Sequence, residues 1–308
     1  MADQYYTKRL TSDADGVAEA TRLILAGHPV AVPTETVYGL AADATNAQGV
    51  ARIYAAKGRP GFNPLIVHVP DLAAAEQLGV FDDAARALAE AHWPGPLTLV
   101  VPRRADAGIA SIVTAGLDSI AIRVPAHPVM QALLKAVGRP LAAPSANASG
   151  RISPTRAAHV LASLDGRIAA LIDGGKTERG IESTIVAATG GGLRLLRRGP
   201  LTLDIAEASG SKIEAPGQLS SHYAPRKPLR LDATEAADDE YLIGFGMMVG
   251  DASLSESGDP VEAASRLFDL LHDADASPKS RIAIAPVPGN GIAAAIRDRL
   301  RRAASPRA

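Results

Sequence analysis

The stretch from Pro33 to Pro70 restricts this chain more than any other. Val30-Ala31-Val32 reads as a small buried strand, and Pro33 and Gly39 bracket a turn at its end. The turn gathers the hydroxyls of Thr34, Thr36 and Tyr38 just past a strand terminus, where open α/β sheets bind ligands. Asn46 can cap a helix whose apolar face is Val50, Ile53 and Tyr54, and Gly58 stops that helix in the left-handed position. Leu65 to Val69 is a second buried strand, with His68 on the face opposite Leu65, Val67 and Val69. Lys57 and Arg59 fall at the frayed helix end, beside a loop stiffened by Pro60 and Pro64. A basic pair there has an ordinary explanation in the helix dipole. Three hydroxyls, two cations, Asn63 and His68 between two apolar strands point instead to an anion site, and phosphate is the commonest such anion.

The rest of the chain alternates strands and helices. Asp13 or Asp15 starts a helix ended by Gly27, and Asp71 and Asp82 cap two more. Leu97 to Val101 is a buried strand after the Trp93-Pro94-Gly95-Pro96 break, where Trp93 is a packing anchor. Ser119 to Pro125 alternates at period two, which puts Arg123 on the polar face of a strand. Two readings of Arg123 stand level here: a solvated arginine on an edge strand, or a cation aimed into a carboxylate site. Pro128 opens a helix ended by Gly138, and Leu141-Ala142-Ala143 runs into the small polar loop Pro144 to Gly150. Ser153 is expected to cap the helix after Pro154, a position that can also face a phosphate. Gly175-Lys176-Thr177 is no phosphate loop of the Walker type, because Ala170 stands where that motif requires glycine. Glu182 to Val186 and Leu193 to Leu196 form a hairpin-like unit closed by Arg197, and a short helix is expected around Leu203 to Ala208.

Beyond it, Pro216 to Pro225 loses apolar periodicity and reads as an extended, semi-rigid linker. Strand and helix units resume at Leu229, and Ile292, Ile296 and Leu300 line a last helix. A length of 308 residues suggests two domains, a larger and a smaller. The absence of cysteine excludes a disulfide framework, a thiol nucleophile and a thiolate metal site. A formal net charge of −1 gives no field steering the chain to nucleic acid or an anionic membrane. The polar start, Met1 to Leu10, is not read as a signal peptide, and no apolar run is long enough to cross a bilayer, so the expected location is the cytoplasm.

The motifs at 33–70, with those at 119–125, 143–155, 181–186 and 197–199 and the linker, resemble the threonylcarbamoyl-AMP synthase family and its YrdC-like domain, in the longer form with a C-terminal domain. The resemblance implies an α/β fold: a YrdC-like twisted open mixed sheet flanked by helices over 1–210, a linker or lid over 211–228, and a small Rossmann-like α/β domain over 229–308. It implies a nucleotidyltransferase that makes threonylcarbamoyl-AMP and pyrophosphate from L-threonine, bicarbonate or CO2, and ATP. The product serves N6-threonylcarbamoyladenosine formation in tRNA by a downstream transferase, with no stable nucleic-acid or membrane contact. The family pattern places Thr36, His68, Arg123, Ala143 and Ser183 on threonine. It places Arg59, Asn63, Ser119, Ser145, Ser153, Arg197 and Tyr223 on ATP, with Lys57 and Arg59 as catalytic cations, and Tyr38 and Asn147 as neighbours. Mg2+ is expected with ATP, held mainly by phosphates and water. Two rival readings are a carbamoyl-transfer domain like that of hydrogenase-maturation proteins, and an RNA-binding regulatory module on the same fold. The absence of zinc-finger and acylphosphatase-like segments disfavours the first, and balanced charge with few aromatics the second.

Overall fold

The structure, a computed structural model, describes residues 6–61, 63–208, 214–217 and 222–306. The chain begins with β1 (Lys8–Leu10), α1 (Ala14–Leu25), β2 (Val30–Val32), β3 (Gly39–Asp43), α2 (Ala47–Lys57), β4 (Ile66–His68), α3 (Leu72–Glu76) and α4 (Asp83–His92). It continues through β5 (Leu97–Pro102), α5 (Ser111–Thr114), β6 (Ser119–Arg123), α6 (Pro128–Val137), β7 (Leu141–Ala142), α7 (Ala157–Leu164), β8 (Ala170–Ile172), β9 (Thr184–Ala187) and β10 (Arg194–Arg197). A second unit holds β11 (Leu229–Arg230), β12 (Glu240–Gly244), β13 (Ala252–Ser253), α8 (Pro260–Ala276), β14 (Arg281–Ile284) and α9 (Ile292–Ala304).

The first ten strands form one mixed sheet in the order β1-β8-β2-β3-β7-β4-β6-β5-β9-β10. Helices are laid down where the sequence supplies caps: Asp13 on α1, Asn46 on α2, Asp71 on α3 and Asp82 on α4 each accept a backbone N–H of the first turn. Gly58 ends α2 at φ 58°, a left-handed conformation that glycine adopts without a Cβ penalty. The apolar faces of α2, α4 and α7 pack on one side of this sheet with Leu40, Val67, Leu99 and Ile122, and α1 and α6 pack elsewhere on it with Val30, Val32 and Ile172. The four later strands form a wholly parallel sheet, β11-β14-β12-β13, against α8 and α9. The cluster that holds this second unit together also takes in Val37, Ile152, Ile181 and Tyr223, so the two units share a core.

Three expectations are corrected. The segment after Leu203 is not helical: it runs extended beside β10, with Leu195 N–H donating to Ala206 C=O and Ala208 N–H to Leu195 C=O. Its backbone finds those partners across chains of strand, which a helix of six residues would forgo. Ser153 is not the cap of α7: Arg156 holds that place, and Ser153 lies before it, beyond Pro154 and Thr155, in an irregular stretch. β6 is not an edge strand, since β4 and β5 flank it. The boundary expected at 210, and Leu219, Ser220 and Ser221 of the linker, lie outside the described residues.

Candidate active site

β4 and β6 run parallel with Ile66 opposite Ala121 and His68 opposite Arg123. Register partners share a sheet face, so His68 and Arg123 stand side by side on the face opposite Val67 and Ile122, which α2, α4 and α7 cover. Arg123 is buried in mid-sheet and is satisfied there. Its Nη2 donates to Glu35 Oε1 at 2.6 Å, its Nη1 to Thr36 Oγ1 at 2.9 Å and its Nε to Gly95 C=O at 3.2 Å. Burial raises the Glu35 carboxyl, but the charge and hydrogen bond of Arg123 outweigh it, and its pKa lies below the usual carboxylate range. Burial, then the Arg123 charge, pushes His68 down to about 3, so this imidazole is neutral. His68 Nδ1 and Glu35 Oε2 are buried without a protein partner. Ser183 completes this end, its Oγ sharing a hydrogen bond with Thr98 Oγ1 at 2.7 Å and accepting from Arg197 Nη2 at 3.0 Å.

The other end is cationic. Lys57 is not frayed out into solvent: it is buried, and its Nζ donates to the carbonyls of Ser145 and Asn147. Arg59 donates to the carbonyls of Asn63 and Pro64, and Arg197 to those of Ser183 and Pro216. Among the described residues none of the three is ion-paired to a carboxylate; carbonyls hold Lys57, and carbonyls with the hydroxyls of Tyr54 and Ser183 hold Arg59 and Arg197. Burial, followed by the neighbouring Arg59 charge, drives the Lys57 ammonium well below its ordinary pKa. Burial also brings Arg59 down to about 10 and lowers Arg197. Three such cations form a surplus of positive charge that an anion would relieve.

The linker closes this end. Tyr223 sits at φ 63°, an uncommon conformation for a bulky residue, fixed by stacking on Phe268 at 5.5 Å and by Arg299 5.2 Å from its ring centre. Its hydroxyl and His222 Nδ1 are buried without hydrogen-bond partners among the described residues. Burial, then the charges of Arg59, Lys57, Arg197 and Arg299, keeps His222 neutral. The cavity enclosed between linker and sheet measures about 50 Å³. That is room for a few waters and far below the 300–1,000 Å³ of small-molecule sites, so a nucleotide can enter only if the linker moves.

Of the residues named from the motifs, Thr36, Arg59, His68, Arg123, Ala143, Ser145, Ser183, Arg197 and Tyr223 line this cavity. Lys57, Asn63, Ser119, Ser153 and Asn147 do not. Lys57 and Asn147 stand one layer behind, with Asn63 Oδ1 and Asn147 Oδ1 buried and unpartnered. Ser119 begins β6 about 13 Å along the strand from Arg123. Ser153 Oγ bonds the Glu182 carboxylate. Tyr38 leaves the group entirely: its hydroxyl donates to Gly175 C=O at 2.7 Å and accepts from Gly174 N–H at 3.1 Å.

Residues missed by sequence reasoning are Glu35, Glu182, His222 and Arg299. Glu35 and Glu182 were open to detection, each being a carboxylate directly beside an expected ligand-binding hydroxyl. Arg299 also carried a signal, since it falls on the apolar stripe of α9 with Ile296, Leu300 and Ala303.

Residues 22–199 match the family model described as "Telomere recombination", and residues 180–305 match the one described as "Threonylcarbamoyl-AMP synthase, C-terminal domain". Threonylcarbamoyl-AMP synthase of Bacillus subtilis is 39% identical over 98% of this chain and 96% of its own length. The chain belongs to the threonylcarbamoyl-AMP synthase family. The Pyrococcus abyssi synthase is 38% identical over 92% of each chain. A crystal structure of P. abyssi Sua5 complexed with L-threonine superposes with a TM-score of 0.87 at 35% identity, covering 97% of each chain. Threonylcarbamoyl-AMP synthase relatives thus account for both sheets, and the mixed α/β fold with a second, parallel-sheet unit is that of the family.

Proposed function

We propose that this chain is a nucleotidyltransferase that makes threonylcarbamoyl-AMP and pyrophosphate from L-threonine, bicarbonate or CO2, and ATP. The observation that carries the reading is the polarity of one cavity. One end offers Arg123, Thr36 and neutral His68; the other offers Arg59 and Arg197, which among the described residues have no carboxylate partner, with Lys57 one layer behind. The first suits an amino-acid carboxylate and hydroxyl, and the second a triphosphate.

In this reading Arg123 and Thr36 hold the threonine carboxylate, while the unpartnered His68 Nδ1 accepts from the substrate. Ser183 and the Ala143 backbone complete that pocket. Arg59, Ser145, Arg197 and Tyr223 contact ATP. Asn63, Ser119, Ser153 and Asn147 support them from outside the closed cavity, and Lys57 fixes the Ser145–Asn147 loop. The carbamate oxygen formed on threonine attacks the α-phosphorus, and pyrophosphate leaves as Arg59 and Arg197 neutralise the developing charge. No protein nucleophile is needed; positioning and charge compensation supply the rate. Glu35 and Glu182 are both engaged by arginines, so a Mg2+ accompanying ATP would be held mainly by phosphates and water and would supply charge neutralisation there. The domain division follows as 1–210 for catalysis, 211–228 for the lid and 229–308 for the C-terminal unit. The product passes to a tRNA-modifying transferase, and the work is cytoplasmic; no helix among the described residues is long and apolar enough to cross a membrane.

The test is incubation with ATP, threonine and bicarbonate, with pyrophosphate and the adenylate read by mass spectrometry. Product that requires all three substrates supports the reading. Salt-dependent RNA binding without ATP turnover would replace it with the regulatory alternative.

A further inference from the structure

Arg299 belongs to α9 of the C-terminal unit, yet its guanidinium reaches Glu182 from behind, and Glu182 lines the cavity. It is fully buried. Nε donates to Glu182 Oε2 at 2.9 Å, Nη1 to Asp298 Oδ2 at 2.9 Å and Nη2 to Arg198 C=O at 2.8 Å. Glu182 is the one carboxylate among the residues lining the cavity. It sits on the same cavity as Arg59 and Arg197, so an uncompensated charge there would repel any phosphate those cations attract. Arg299 neutralises it from behind, and Ser153 Oγ bonds its other oxygen.

The same guanidinium covers one side of the Tyr223 ring, and Phe268 of α8 stacks on that ring too. His222 N–H donates to Arg302 C=O on α9 at 3.2 Å. The next residue turns back: Ala224 N–H donates to Gly150 C=O in the catalytic domain at 2.8 Å. The linker residues that roof the cavity are therefore seated by the C-terminal unit.

We propose that Arg299 is a positioning residue for the nucleotide: it neutralises Glu182, seats Tyr223, and thereby couples the C-terminal unit to ATP binding. The proposal rests on the reading of the cavity as an ATP and threonine site. Arg299 makes no contact with His68, Arg123 or Thr36, so its effect falls on ATP rather than on threonine.

Arg299→Met, Arg299→Lys and the double variant Arg299→Met/Glu182→Gln test it in the full chain. In Arg299→Met the KM for ATP should rise about tenfold or more, while the KM for threonine moves less than about threefold. The double variant should recover most of that loss, because removing both members of a buried pair strands no charge. Arg299→Lys should fall between, keeping the charge but not the three-way bonding. Amide hydrogen exchange at His222 and Ala224, read by NMR, should quicken in Arg299→Met. An unchanged KM for ATP in Arg299→Met, or a double variant no better than the single one, overturns the proposal. If Arg299→Met does not fold, Arg299→Lys and the double variant carry the same comparison. If the parent protein makes no adenylate, the functional reading fails. Calorimetric ATP binding and amide exchange across the same variants then still decide the role of Arg299, upheld by weaker binding with quicker exchange and overturned by neither changing.

Discussion

Arg123 and Glu35 form an ion pair at 2.6 Å in the middle of the sheet, with side chains only 4% and 6% exposed. A pair this buried contributes little net stability, but breaking it strands a charge. Arg123→Ala should therefore do two separable things. Threonine binding by calorimetry should be lost while ATP binding survives. Unfolding in urea should show a stability loss of about 3–5 kcal/mol from the stranded carboxylate. Adding Glu35→Gln should restore much of the stability and none of the threonine binding. Intact threonine affinity in Arg123→Ala would remove Arg123 from the substrate pocket.

Arg59 presents the opposite case, a half-buried cation held by two carbonyls and the Tyr54 hydroxyl, with no carboxylate partner among the described residues. Arg59→Met should leave the thermal midpoint of the free protein unchanged or higher, because the cation is a cost until an anion arrives. Turnover should fall by roughly 10²–10³-fold, as for loss of one transition-state donor. A midpoint that drops together with activity would mean that Arg59 is structural.

Tyr223 carries a buried hydroxyl with no hydrogen-bond partner among the described residues. Tyr223→Phe keeps the ring between Arg299 and Phe268 and deletes that hydroxyl. The free protein should gain about 1 kcal/mol, and ATP affinity should fall by about tenfold. Equal ATP affinity in the two proteins would show that the hydroxyl does not face the nucleotide.

The fragment 1–210 lacks the partners of Val37, Ile152 and Ile181 in the shared core, and the Arg299 partner of Glu182. Circular dichroism should show a folded but less stable fragment, and product formation should be small beside that of the full chain. A fragment matching the full chain in rate and in product half-life would reduce the linker to a tether.

Acid should loosen the seam between the two units. His159 on α7 and His272 on α8 stack at 3.8 Å, flanked by Arg156, Lys176, Asp269, Asp273, Asp275 and Arg226. Burial above all lowers their pKa values, to about 3 and about 4, from the ordinary 6.5. The unfolded chain then takes up protons that the folded chain refuses, so the stability present above pH 6.5 is lost as pH falls towards 4. The slope is at most about 1.4 kcal/mol per pH unit for each histidine. The lowered Glu35 carboxyl adds a later loss, as pH falls below 4.5 and through its folded value. Urea unfolding from pH 7.5 to 4.5 should show the first decline, flatter in His159→Gln/His272→Gln; an equal slope in both proteins would rule the stack out as its source.

The sequence by itself determined what depends on near neighbours along the chain. Caps at Asp13, Asn46, Asp71 and Asp82, the Gly58 stop, and the alternation that puts His68 and Arg123 on polar strand faces are all local steric and hydrogen-bonding choices, legible residue by residue. The motifs also named most of the cavity lining. Only the tertiary structure decided which charge neutralises which. Arg123 meets Glu35 across 88 positions of chain, and Arg299 meets Glu182 across 117. Tyr38, three residues from Glu35, turns instead to Gly174 and Gly175 on the far side. Likewise 203–208 took an extended path rather than a helix because Leu195 of β10 offered open backbone groups beside it. Helix and strand follow from periods of a few residues, whereas the sign and accessibility of a buried charge follow from partners that only chain folding brings within 3 Å.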